Sequence, residues 1–304
     1  MKKLIILAIL CSSLIANAQQ QPQYTLNQFN SHLEINPAYA GSNDQASASL
    51  RYRKQWVGFD GSPSTAGFNI ESKIVQKQLA IGLSVINDRL GITQSTAGDL
   101  SVATHVRISD GVTVSVGLKA GVYSLNSDFS KLSNVDMTDP LYVLDNRIIP
   151  YLGFGALLYS RKLYIGLSAP RVVSIENFSP QTRITKPHYF LYGGYSITLN
   201  SDIELKPALL VKYVSAAPLE ADIAMDAWYK NTFGIGFSYR TSDAVSVMVK
   251  WRSGNIYVGY SYDMTVSGMR TFNSGSHEVH LGIQFGKAGI PDRTIDNRHP
   301  GGKR

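Results

Sequence analysis

The sequence predicts an all-β fold, a transmembrane antiparallel outer-membrane β-barrel of about fourteen strands with both termini periplasmic. Three observations predict it. From Gln45 onward, apolar and polar residues alternate in segments of roughly ten residues, the period of strands with one apolar face. The charged residues fall almost entirely on the other face. The connections sort by parity, short ones alternating with longer ones, as in barrels with tight periplasmic turns and extended outer loops.

The elements follow in order. Residues 1–18, "MKKLIILAILCSSLIANA", combine Lys2 and Lys3, an apolar run and the small-residue site Ala16-Asn17-Ala18. This is the pattern of a secretory signal peptide cut after Ala18, and the run is too short for a membrane-spanning helix. Lipidation at Cys11 competes with that reading, but Leu10 stands where a lipoprotein leader carries a small residue. Cys11 is the one cysteine, so the exported chain is expected to hold no disulfide. Residues 19–44 form an N-terminal segment expected in the periplasm as a plug or docking element. Residues 45–285 form the barrel, and 286–304 a basic tail.

Within the barrel the clearest apolar sets include Ala66, Phe68 and Ile70; Leu79, Ile81, Leu83 and Val85; and Phe233, Ile235, Phe237 and Tyr239. Another is Val245, Val247, Val249 and Trp251. Weaker segments near 46–56, 150–159, 188–199 and 220–229 and the strand 277–285 complete the fourteen. The opposite face carries Arg51, Arg53, Glu71, Lys73, His105, Lys119, Lys212, Asp222, Asp226, Lys250 and Glu278, with Lys54 the exception. A soluble sandwich alternates too; the parity of the loops separates the two. Six tight connections, at 76–78, 109–111, 160–162, 200–202, 229–231 and 253–255, alternate with longer ones that include 124–149 and 169–187, and "TSD" at 241–243 is the short exception. Trp56, Trp228 and Trp251 are expected in the interfacial aromatic belts.

Net charge is +7, of which Lys2 and Lys3 carry two. An exported basic chain meets anionic surfaces, not nucleic acid. No catalytic or metal-binding constellation emerges among the six histidines. "HEVH" at 277–280 is one residue short of a zinc-protease helix motif. On a strand, His277 and His280 point to opposite faces. No G-x-S-x-G elbow occurs, and Asp136 and Asp139 lack the rest of a calcium loop. The chain is therefore expected to be no enzyme and to need no cofactor.

The motifs carry a resemblance. "QYTLNQFNSHLEINPAYAGS" is followed by "YRKQWVGFDGSPST", then "INDRLG", "PYLGFGALLYSRKLYIGLSAPRV", "GYSYD" and "SGSHEVHLGIQF". In this order they resemble the PorP/SprF family of outer-membrane proteins associated with the type IX secretion system. The resemblance covers essentially the whole exported chain and departs at the tail after Phe285. Its most specific part is Asn36-Pro37-Ala38-Tyr39-Ala40-Gly41 together with Trp56-Val57-Gly58-Phe59. It implies a non-enzymatic barrel that supports secretion, surface attachment or presentation of a partner adhesin of the gliding-motility type. The implied partners are that adhesin or other type IX components, the lipid bilayer and lipopolysaccharide. Asn36, Pro37, Ala38, Tyr39, Ala40, Gly41, Trp56, Gly58 and Phe59 are the candidate docking or family-motif residues. Asn36 before proline is biased to extended backbone and Gly41 can supply a positive φ, so the pair brackets a fixed turn before the first strand. A motif that only opens that strand remains the simpler reading, and a passive channel or small-molecule transporter remains the alternative function.

Overall fold

A computed structural model describes residues 32–43, 45–75, 78–128, 145–174, 186–215 and 217–285. The leader, the basic tail, Asp136, Asp139 and most of the two longest connections lie outside the described residues. The described strands form one closed antiparallel sheet. They are β1 (Ala46–Lys54), β2 (Ser64–Val75), β3 (Leu79–Leu90), β4 (Thr93–Ser109), β5 (Val112–Ser127), β6 (Asp145–Tyr159), β7 (Leu163–Ser174) and β8 (His188–Tyr195). There follow β9 (Ile197–Thr198), β10 (Ile203–Val214), β11 (Glu220–Tyr229), β12 (Phe233–Arg240), β13 (Ala244–Ser253), β14 (Ile256–Thr265) and β15 (Ser276–Phe285). β8 and β9 both pair with β10 and are one stave interrupted at Ser196, so the fifteen segments make fourteen staves.

Closure comes from the first and last strands, which pair from Ala46 opposite Phe285 to Lys54 opposite His277. The sheet thereby closes with no free edge strand, the condition for crossing lipid with strands. Among the described residues no helix is long and apolar enough to cross a membrane. Burial alternates along most of the strands, most cleanly in β12, β13 and β15. Leu50, Leu100, Leu118, Leu167, Ile223, Phe237, Val249 and Leu281 stand exposed on the outer surface. Arg51, Arg53, Glu71, Lys119, Asp222, Lys250 and Glu278 are buried inside. This inversion of the soluble pattern is what a bilayer selects.

The end of the barrel that carries both Ala46 and Phe285 has tight turns. Lys230 and Asn231 at one of them both adopt left-handed backbone (φ 49° and 52°), as a type I′ hairpin requires. At the opposite end two connections are short, not one. Besides 241–243, β3 and β4 meet across Gly91 and Ile92 alone, because both strands run further than their apolar cores indicate; Asn87 and Thr96 still pair across the ladder. The extension is polar and Thr- and Ser-rich, so periodicity misses it. Trp228 also departs from expectation. It is 2% exposed and lies in the lumen between Lys206 and Arg252, 5.3 and 5.1 Å from its ring, and not in an outer belt. Cation–π attraction and the adjoining Gly234 explain the inward fit. Trp251, by contrast, faces outward.

Candidate functional site: the filled half of the lumen

Residues 32–43 precede β1, and they lie inside the barrel instead of simply opening that strand. Leu33, Ile35, Ala38, Tyr39 and Ala40 form one buried cluster with Ala80, Ala103, Leu157, Phe190, Tyr192 and Leu210 of the wall. Burying Leu33 or Ile35 stabilises the arrangement by roughly 1.5–3 kcal/mol each. The local conformation follows from the sequence. Asn36 is extended (φ −142°, ψ 111°), and its side chain accepts from the Ala38 N–H at 2.9 Å, capping a single 3-10 turn from Pro37 to Tyr39. Gly41 then takes φ +66°, where a Cβ would also come within 2.4 Å of the Ala80 methyl.

The segment has no sheet pairing, so its backbone polar groups need other partners. Its own turns satisfy the N–H groups of Ile35, Asn36, Tyr39, Ala40 and Ser42, and wall side chains supply others. Lys119 Nζ donates to the carbonyls of Leu33 and Glu34, both at 3.0 Å, and also sits 3.1 Å from Asp99. Ser168 Oγ donates to the Ile35 carbonyl at 2.6 Å, and His105 Nε2 lies 2.8 Å from the Ala40 carbonyl. Glu71 accepts from the Gly41 N–H at 3.0 Å. Two side chains of the segment reach outward in return. Glu34 pairs with Arg51 at 2.6 Å and accepts from Asn69. Asn36 Nδ2 donates to the Ala156 carbonyl and the Tyr192 hydroxyl at 3.0 and 3.1 Å. Burial pushes the Glu34 carboxyl up, but Arg51, Asn69 and Lys119 together hold it below the usual range. His32 stacks on Tyr192 at 4.8 Å, and burial, with the nearby Lys250 charge, pushes its imidazole down to about 4.

The wall is hollowed to admit this segment. A Cβ on Gly155 would lie 2.0 Å from Asn36 Oδ1, one on Gly117 2.4 Å from the Ala38 nitrogen, and one on Gly82 2.8 Å from the Leu33 methyls. Strand glycines such as Gly155 relieve crowding by residue type alone, but that they make room for this segment was not read from the sequence. Their signal was present in "VSVGLKA" and "LGFGALL", where glycine replaces a side chain on the inward face of a strand.

The other half of the lumen holds charges that neutralise one another. Arg240 lies 2.9 Å from Asp222, 2.8 Å from Asp243 and 3.5 Å from Asp263. Arg53 lies 2.7 Å from Asp263 and 3.3 Å from Glu278. Lys212 pairs with Glu220 and with Asp222, and Lys250 with Asp226. Removing one member of such a buried network leaves an unpaired charge, at a cost of about 3–5 kcal/mol.

The two family-motif stretches are not brought together. Asn36, Pro37, Ala38, Tyr39, Ala40 and Gly41 are buried in the lumen, with Gly41 near the end where β1 begins. Trp56, Gly58 and Phe59 follow β1 at the opposite rim. There Trp56 has φ 49° and Gly58 φ 91°, and Phe59 is exposed. That turn is stapled to the β14–β15 connection: the Val57 N–H donates to the Gly275 carbonyl at 2.8 Å and the Ser274 N–H to the Val57 carbonyl at 2.7 Å. "WVGF" thus meets "SGSHEV". In the latter, His280 faces the lumen while His277 bonds the Tyr260 hydroxyl at 2.7 Å on the other side.

A closed, fourteen-stave sheet with an apolar exterior and a paired polar interior defines an outer-membrane β-barrel. The family model described as "Type IX secretion system membrane protein PorP/SprF" matches residues 16–283. The chain belongs to that family and is a type IX secretion outer-membrane barrel. No curated protein sequence matches it. Among solved structures, it is similar to a Pseudomonas aeruginosa FadL homologue at 11% identity, over 83% of this chain and 93% of that one, TM-score 0.45. Omp33 of Acinetobacter baumannii gives 9% identity, 81% and 100% coverage and TM-score 0.44. CdiB from Acinetobacter baumannii gives 7%, 79% and 60%, TM-score 0.44, so the chain spans three fifths of that protein. Likenesses this distant carry no functional argument.

Proposed function

We propose that this barrel is a non-enzymatic component of the type IX system that holds or presents a secreted surface protein, an adhesin of the gliding-motility kind. Both termini lie in the periplasm after a signal peptide at 1–18 is removed. The long connections and the Trp56–Phe59 turn then face the cell exterior among lipopolysaccharide. Family membership across residues 16–283 carries this reading. The lumen supports it over a passive channel: inward charges of both signs pair with one another, and selectivity rings need a single unpaired sign.

Deleting the gene is expected to shift one surface protein into the medium or into degradation while other cargo of the pathway is still exported. If every surface protein stays in place and only small-solute permeability changes, the channel reading replaces this one.

A further inference from the structure

We propose that residues 33–41 are a tethered peptide ligand: the wall formed by β1 to β8 is a peptide-binding cradle, and the segment closes it as a plug that can leave as a unit. Three observations carry this. The first is the path of the segment. His32 sits against Tyr164 and Tyr192, 5.8 and 4.8 Å between ring centres, beside the first residues of β7. Gly41 sits against Lys73 and Ala80, at the end of β2 and start of β3. Both places belong to the end where β1 begins, and the deepest reach between them is Glu34, beside Gly67 and Arg51. The described residues 32–43 thus form a loop dipped into the barrel, with both ends of the loop at the same opening.

The second observation is independence. The strand ladder closes through β1 and β15 and through β10 and β11 without any residue of the segment. Leaving therefore breaks no sheet hydrogen bond, and the barrel remains a complete fold.

Chemistry is the third. Lys119, Ser168, His105 and Glu71 engage backbone carbonyls and an N–H, the contacts any peptide offers. Selectivity resides in two places: Arg51 and Asn69 read a carboxylate at position 34, and Tyr192 with the Ala156 carbonyl reads a carboxamide at position 36. The glycine-lined hollow admits only a narrow backbone after it. The ligand class is accordingly a short peptide of the form Glu-Ile-Asn-Pro-Ala-Tyr-Ala-Gly, and its source is the chain itself.

The test uses the full folded chain with a specific protease site inserted between Asn43 and Gln45, cut after folding in detergent. A synthetic peptide of residues 32–43 in excess should then displace the cut segment, while the barrel stays folded by heat-modifiable gel mobility. Peptides carrying Asn36→Ala or Glu34→Gln should compete about tenfold less well, the scale of one or two lost hydrogen bonds. Displacement by both variant peptides as readily as by the parent would overturn the cradle; a cut segment that no excess of peptide displaces from the folded barrel would overturn release. As a second arm, Leu33→Cys with Gly82→Cys places a crosslink where a Cβ on Gly82 would lie 3.3 Å from Leu33 Cγ. Oxidation should retain the cut segment and reduction should free it; equal loss in both states would show that the segment does not occupy this site. None of these readouts involves a secreted partner, so they stand whether or not the adhesin reading holds.

Discussion

Asn36 shows how much one side chain can organise. Its oxygen caps the Pro37–Tyr39 turn while its nitrogen bonds the wall at Ala156 and Tyr192, so a single carboxamide fixes both the shape of the segment and its seat. The bias of Asn36 to extended backbone and the positive φ of Gly41 follow from residue type, and both are found. The destination of the motif was not legible. An apolar stretch of small residues before a strand reads equally well as strand entry, and its burial depends on Gly82, Gly117 and Gly155, far along the chain. Gly117→Val is a direct check. Its Cβ would fall within 2.7 Å of the Pro37–Ala38 backbone, which unlike a side-chain tip cannot rotate aside. Overpacking of this kind costs about 1–3 kcal/mol. The urea midpoint should fall while the heat-modifiable barrel still forms.

For the strands, the period-2 pattern placed all fourteen staves because lipid demands an apolar outer face at every second position and the lumen tolerates polarity at the rest. The pattern failed where that demand stops. Beyond the bilayer, the tops of β3 and β4 are polar on both sides, and their ladder continues to Leu90 opposite Thr93 with no apolar signal to mark it. Trp228 is the opposite case, because strand parity pointed to the correct face: Asp226 two residues earlier is an inward residue, paired with Lys250. The general enrichment of tryptophan in belts was the weaker guide. The lipid face can be tested at Phe237, which is 58% exposed on the outer surface of β12. Phe237→Arg should lower the yield of folded barrel strongly, since a cation near the bilayer midplane costs roughly 2–4 kcal/mol, whereas Phe237→Leu should leave it near wild type.

For the whole molecule, the orientation proposed above rests on which end carries the tight turns. Asp60, in the β1–β2 connection, and Asp110, in the β4–β5 turn, are both exposed and stand at opposite ends of the barrel. With Cys11 the only native cysteine, single cysteines at these two positions report sidedness cleanly. An impermeant thiol reagent applied to whole cells is expected to label Asp60→Cys, and to label Asp110→Cys only after the outer membrane is opened. The reverse pattern would invert the topology proposed for both termini.

What the sequence determined by itself is the repeating part of the protein. Strand number, the facing of Arg51, Lys119 and Asp222, and the family follow from local alternation and from motif order, which need no knowledge of what lies across the barrel. What only the tertiary structure decided is the content of the lumen. Which charges pair, as Arg53 does with Asp263 and Glu278, and that residues 32–43 fill one half, depend on groups separated by as many as 225 positions along the chain. Those contacts exist because closing β1 onto β15 brings the inward faces of distant strands around one narrow space. No local pattern encodes that closure distance, so the interior becomes readable only once the barrel is shut.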